Sequence, residues 1–327
     1  MEFKLPISQL AMTFVPCLLV FLTVFMSRKS YFLVCGLLCF FYSVGYTVFP
    51  EHLLKLSLGR LAGLTIDHWT QYVLQQLGVV AFGTCCVFFF YRNSSDERVS
   101  KLVLSTFAQA LVGELVAFGC LQMRVSKNVP VLSKDGKLMP ATGLQLPSED
   151  FCVMYSGVTI FLITTLAHYL RSPSPKPQAP ARYDTQMGVH RTILSYSLLF
   201  SALNCLTNVE LTLQLFSGSE AKVRVDDFIC FTAQLMGVIL LAQVSMVQGS
   251  ADFVNKDDQA AIFKSNAVLM LVSLGISAYH AFHVMKLPTK LLVACTIFDV
   301  GILINSVAAI VRASGMELDL KESKKRK

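Results

Sequence analysis

Three carboxylates stand where a carboxylate is costly. Glu114, Glu210 and Asp299 fall inside long runs of apolar side chains. An unpaired charge near the centre of a bilayer costs about 3 kcal/mol on insertion scales, so each needs a partner, a proton or a wet cavity. Glu114 and Asp299 sit near the middle of their runs and are the sharper candidates for a ligand or ion site inside the membrane. Two amides join them. Gln75 and Gln234 occupy matching places in two related segments, and at one depth they would line a shared central site. The structural alternative is that an intramembrane Gln joins helices by a hydrogen bond of roughly 0.6–2 kcal/mol, with nearby Gly allowing close approach.

The remaining polar groups point to structure. Asn204 and Asn208 are four apart and share a helix face, whereas Glu210 points elsewhere. Asp67 and Asp226 precede helices and read as caps or first-turn acids favoured by the helix dipole. His280 and His283, three apart, share a face near one helix end; they read as interfacial caps, since a metal pair would need Asp299 from a different depth. Six histidines are too few for a multi-histidine di-iron oxygenase, and no GxSxG, HExxH, Walker or dinucleotide pattern occurs. No catalytic residues, cofactor or metal ligands are therefore assigned. The ten cysteines lie in or beside apolar runs, with no CxxC or Cys/His metal spacing, and read as small apolar fillers rather than a disulfide framework.

The elements that position these groups are membrane helices. Of 327 residues, 54% are hydrophobic and only 15% charged, with a mean hydropathy of +0.57. That excludes a water-soluble globular fold, which carries about 25% charged residues. Apolar runs long enough to span occupy 8–26, 31–49, 69–91, 100–121, 151–170, 192–216, 227–248, 260–284 and 289–311. They do not alternate as barrel strands do, so the fold class is all-α, a polytopic membrane helix bundle of about nine spans. The first run lacks a small-x-small cleavage site and is followed by Arg28 and Lys29, which reads as a retained helix with its amino end away from the cytosol. The segments then placed in the cytosol hold most of the 28 Lys and Arg, so the carboxyl terminus is cytosolic too. Residues 122–150 read as a loop, and the Pro-rich stretch from Ser172 to Pro177 as an extended linker.

Sliding the chain on itself by 159 residues aligns 41–79 with 200–238 at ten identities in 39 positions, among them Glu51/Glu210, Gly59/Gly218, Asp67/Asp226, Gln75/Gln234 and Gly78/Gly237. Half of the ten are polar or Gly, so shared hydrophobicity is not the whole cause. The expected organisation is a lead helix (1–30), a four-helix repeat (31–170), a Pro-rich cytosolic linker (171–190), a second four-helix repeat (191–311) and a basic cytosolic tail (312–327). Four helices per unit make the repeats parallel.

The chain ends Lys324-Lys325-Arg326-Lys327. Lysines at −4 and −3 resemble the di-lysine retrieval signal of endoplasmic-reticulum membrane proteins, read by a cytosolic coat. A stop-transfer cluster accounts for Arg312 better than for basic residues a dozen positions further on. The expected partners are the lipid bilayer, that retrieval coat and a small molecule of unknown kind, not nucleic acid. Three functions remain: a carrier or small-molecule or lipid binder with a site between the repeats near Gln75, Glu114, Gln234 and Asp299; a non-catalytic scaffold or escort factor; and, more weakly, an intramembrane lipid-modifying enzyme.

Overall fold

The structure, a computed structural model, describes residues 7–53, 68–127, 148–174, 185–207, 227–253, 255–284 and 289–325. Among them are nine long helices and no strand: α1 (Ile7–Leu22, followed by a 3-10 turn Thr23–Phe25), α2 (Arg28–Val48), α3 (His68–Tyr91), α4 (Glu97–Lys127), α5 (Ser148–Arg171), α6 (Thr185–Thr207), α7 (Asp227–Gly249), α8 (Lys256–Tyr279, followed by a π turn His280–Val284) and α9 (Thr289–Lys325). Among the described residues, seven helical segments are long and apolar enough to cross a membrane: Arg28–Val48, Thr70–Tyr91, Glu97–Arg124, Phe151–Arg171, Phe228–Asp252, Lys256–His283 and Leu292–Ser314. α1 offers only a shorter apolar stretch, Thr13–Phe25. α6 carries His190 and Arg191 and starts earlier than its apolar run, while 208–216 of that run lie outside the described residues. The protein is a helical membrane protein.

Two helix ends differ from the sequence reading. α4 continues to Lys127 instead of giving way to a loop at 122, because Leu121-Gln122-Met123-Arg124 are good helix formers with no Gly or Pro among them. The tail beyond 311 is helical to Lys325 as well, its Glu, Leu and Lys outweighing the single Gly315.

α3, α7 and α8 are the most enclosed helices and form the centre. α3 packs on α2, α7 and α8, and α7 packs on α6, α4 and α3, while α9 closes on α8 and α6. The outer helices present Phe41, Ile163, Leu170, Ile297 and Ile304 outward. In water such a surface would aggregate; in hydrocarbon it is the expected exterior. Close helix approach rests on small residues. A Cβ on Gly78 would stand 2.9 Å from the Ser43 carbonyl oxygen, and one on Gly237 3.0 Å from that of Ala202. No side-chain rotation relieves contact with backbone, so both crossings require Gly.

One end of the bundle is stitched by polar contacts. Ser94 donates to Asp258 Oδ2 at 2.7 Å and the Tyr91 hydroxyl to the Asp258 carbonyl at 2.8 Å, tying the α3–α4 turn to the start of α8. Arg191 donates to Gln259 Oε1 at 2.8 Å, His190 meets Asn305 at 2.9 Å, and Arg171 reaches the Val24 carbonyl. Asp96 and Asn255 accept from the backbone N–H groups of Arg98 and Asp257 at 2.9 and 3.0 Å, capping α4 and α8 in the same way. The starts of even-numbered helices and the ends of odd-numbered ones thus share an end.

Candidate functional site

α3, α6, α7, α8 and α9 surround a cavity of about 420 Å³. Most of its wall is apolar, contributed by residues such as Val80, Leu198, Met236, Leu240, Leu269 and Phe298. Helical periodicity brings a polar strip into it. Cys295 and Asp299 are four apart on α9, Ser273 faces them from α8, and Tyr72 and Gln76, also four apart, come from α3. Ser273 Oγ lies 2.6 Å from Asp299 Oδ2 and 3.2 Å from Gln76 Oε1. Asp299 is 7% exposed, and the Gln76 amide nitrogen is buried without a hydrogen-bond partner. The Tyr72 hydroxyl sits beside Ser277 and Cys295. A buried carboxylate with one hydroxyl donor at the wall of an apolar chamber is a group that can fix the polar end of a small ligand.

The four residues singled out from the sequence separate. Asp299 lines the cavity. Gln75, one residue from Gln76 and so about 100° round the helix, turns to other neighbours: its Nε2 donates to the Thr47 carbonyl at 2.9 Å, and its Oε1 accepts from His280 Nε2 at 2.5 Å. Thr47 closes α2, where carbonyls lack an intrahelical partner, so Gln75 finishes that helix end. Glu114 is half-buried on α4, within electrostatic reach of Cys39 and Tyr42 of α2, and is not among the residues of the cavity wall. Gln234 is half-buried on α7 with its Oε1 buried and unpartnered, again away from that wall. Glu210, Asp67, Asp226 and Asn208 lie outside the described residues.

The histidine pair departs from its expected place. His280 is fully buried (0% exposed), stacked edge-on against Tyr72 at 5.2 Å, whereas His283 is exposed and stacks on Tyr279 at 5.3 Å. The π turn is the reason: its wider i→i+5 winding rotates residues three apart onto different faces. Since His280 Nε2–H serves Gln75, its Nδ1 is the bare acceptor, buried without a partner. Among the described residues no group of three or more His, Cys, Asp or Glu side chains converges as a metal site. The cysteines are free thiols.

A polytopic helix bundle enclosing a mainly apolar chamber, with Asp299 the acidic group among the described residues of its wall, is the class of protein these observations define. Residues 31–311 match the family described as a domain of unknown function, DUF8292, and the chain belongs to that family. The match begins after α1 and stops short of the basic tail. No curated protein and no solved structure matches the chain.

Proposed function

We propose that the protein is a multi-pass endoplasmic-reticulum carrier or binder of a small lipophilic molecule, with its site between two parallel four-helix repeats. The observation that carries this reading is the chamber itself: α3 of the first unit and α6 to α9 of the second wall a space of ligand size around Asp299. The duplication is supported by features that recur at the same offset of 159. Gly78 meets Ser43 as Gly237 meets Ala202, and the capping residues Asp96 and Asn255, each bonded to the N–H two positions on, are related by that number. The pairings α3 with α8 and α7 with α4 also exchange under it. Nine spans follow if α1 and the α6 segment both cross. The end that gathers Arg28, Arg98, Lys101, Arg171 and Arg191 is then cytosolic, with the tail and its Lys324-Lys325 signal beside it.

Filling the chamber tests this. Ala233→Trp or Ala294→Trp in the full chain should abolish co-purification of a bound lipophile, read by mass spectrometry of the detergent-extracted protein, while leaving the elution volume unchanged. Equal recovery from the wild type and both variants overturns the site. A non-catalytic scaffold is the second reading, and the bonds of Gln75 to Thr47 and His280 favour it, being helix-to-helix joints. A scaffold would tolerate the filled chamber without loss of partners.

A further inference from the structure

We infer that the chamber takes a lipophilic amine: an apolar body with one ammonium group that pairs with Asp299. This rests on the binder reading above and specifies its ligand. The wall holds more acceptors than the Ser273 hydroxyl can serve. The Ser273 hydroxyl has a single hydrogen and faces two acceptors, Asp299 Oδ2 at 2.6 Å and Gln76 Oε1 at 3.2 Å. The shorter contact takes it, which leaves the Gln76 carbonyl oxygen turned toward an oxygen that has no hydrogen left to give. Reversing the Gln76 amide would give Ser273 a donor but would put the carbonyl oxygen where the buried nitrogen now has no partner. With Asp299 ionised, either arrangement leaves one acceptor of the strip without a donor.

Charge gives the second constraint. Among the described residues, those that line the chamber include one carboxylate and no Lys, Arg or His. Asp299 is more than nine-tenths buried and accepts a hydrogen bond from Ser273. Left ionised, a carboxylate so placed needs a counter-charge, and no basic side chain among the described residues of this wall supplies it. An ammonium group brings one positive charge and three donors, enough for Asp299 and for the Gln76 oxygen together. A fatty acid or phosphate head would meet an uncompensated like charge and find no cationic partner. A hydroxyl head would bring one donor and no charge.

Shape gives the third. About 420 Å³ lies in the lower part of the range of small-molecule sites, and apart from the polar strip the wall is built of side chains such as Leu198, Met236, Leu240 and Phe298. Phe200 belongs to the wall yet is 63% exposed, so it stands at the rim on the outer side of α6. An opening there faces the surroundings of the bundle, from which a membrane-dissolved molecule enters body or head first without crossing water.

The experiment compares three probes of one chain length on the purified full-length protein in phosphatidylcholine nanodiscs: a long-chain primary amine, the corresponding alcohol and the corresponding carboxylic acid, each competing with a diazirine-bearing amine whose cross-links are mapped by peptide sequencing. The amine should compete at least about tenfold more strongly than the alcohol, the loss expected when one partner of a buried charge pair is missing, and the acid least. Cross-links should fall on α3, α8 and α9. Asp299→Asn, which keeps the side-chain shape, should abolish the preference for the amine over the alcohol. Equal competition by amine and alcohol in the wild type overturns the inference but leaves the chamber as a binding site. Cross-linking by the diazirine-bearing amine that avoids the chamber residues overturns both readings. The wild-type comparison needs no variant, so a failure of Asp299→Asn to fold does not shelter the idea.

Discussion

Two glutamines adjacent in sequence do different work. Gln75 satisfies the Thr47 carbonyl at the end of α2 and holds His280, whereas Gln76 faces Ser273 in the chamber. Gln75→Ala should therefore lower stability by about 1–2 kcal/mol, since it strips the Thr47 carbonyl and the His280 N–H at once. Thermal unfolding in detergent reads that loss, and ligand competition should be unaffected. Ser273→Ala removes the one donor that reaches Asp299. Its expected outcome is the reverse: a modest stability change and altered selectivity among amine, alcohol and acid. A result in which both variants only unfold the protein would favour the scaffold reading.

At the scale of elements, the two glycine crossings provide a test of duplication that needs no ligand. The Cβ of Gly78→Ala would press on the Ser43 carbonyl and that of Gly237→Ala on the Ala202 carbonyl, at 2.9 and 3.0 Å. Overpacking of a fixed contact typically costs about 1–3 kcal/mol. The two substitutions should lower the unfolding temperature by similar amounts if α2–α3 and α6–α7 are copies of one unit. Removing the caps should match as well, Asp96→Ala and Asn255→Ala each costing about 1 kcal/mol. Strongly unequal pairs would speak against equivalence. The nine long helices of the described residues follow from the apolar runs, because hydrocarbon permits hardly any other backbone arrangement. Their ends were less legible. α4 and α9 run beyond their apolar stretches into polar sequence, since helix propensity carries on where hydrophobicity stops.

For the whole molecule, orientation is the measurable quantity. An asparagine-linked acceptor engineered into 128–147 should be glycosylated in microsomes, and the natural Asn93-Ser94-Ser95 should stay unmodified because it lies at the basic end. The opposite pattern inverts the topology. Replacing Lys324 and Lys325 with Ser should move part of the protein to the Golgi or cell surface if the tail carries a retrieval signal; an unchanged reticular distribution removes the motif from the account. The membrane class, most helix positions and the candidacy of Asp299 are legible in the residues alone, because a carboxylate in an apolar run is conspicuous one residue at a time. Which side chains stand beside Asp299 depends on contacts between helices distant in the chain. Ser273 and Gln76 are 197 residues apart and Ser273 and Asp299 are 26 apart. A serine on a membrane helix looks the same in sequence whether it faces lipid, a backbone carbonyl or a carboxylate. The rotation of α3, α8 and α9 about their axes, set by packing among side chains distant in the chain, is what turned these three residues toward one chamber and Gln75, Glu114 and Gln234 away from it.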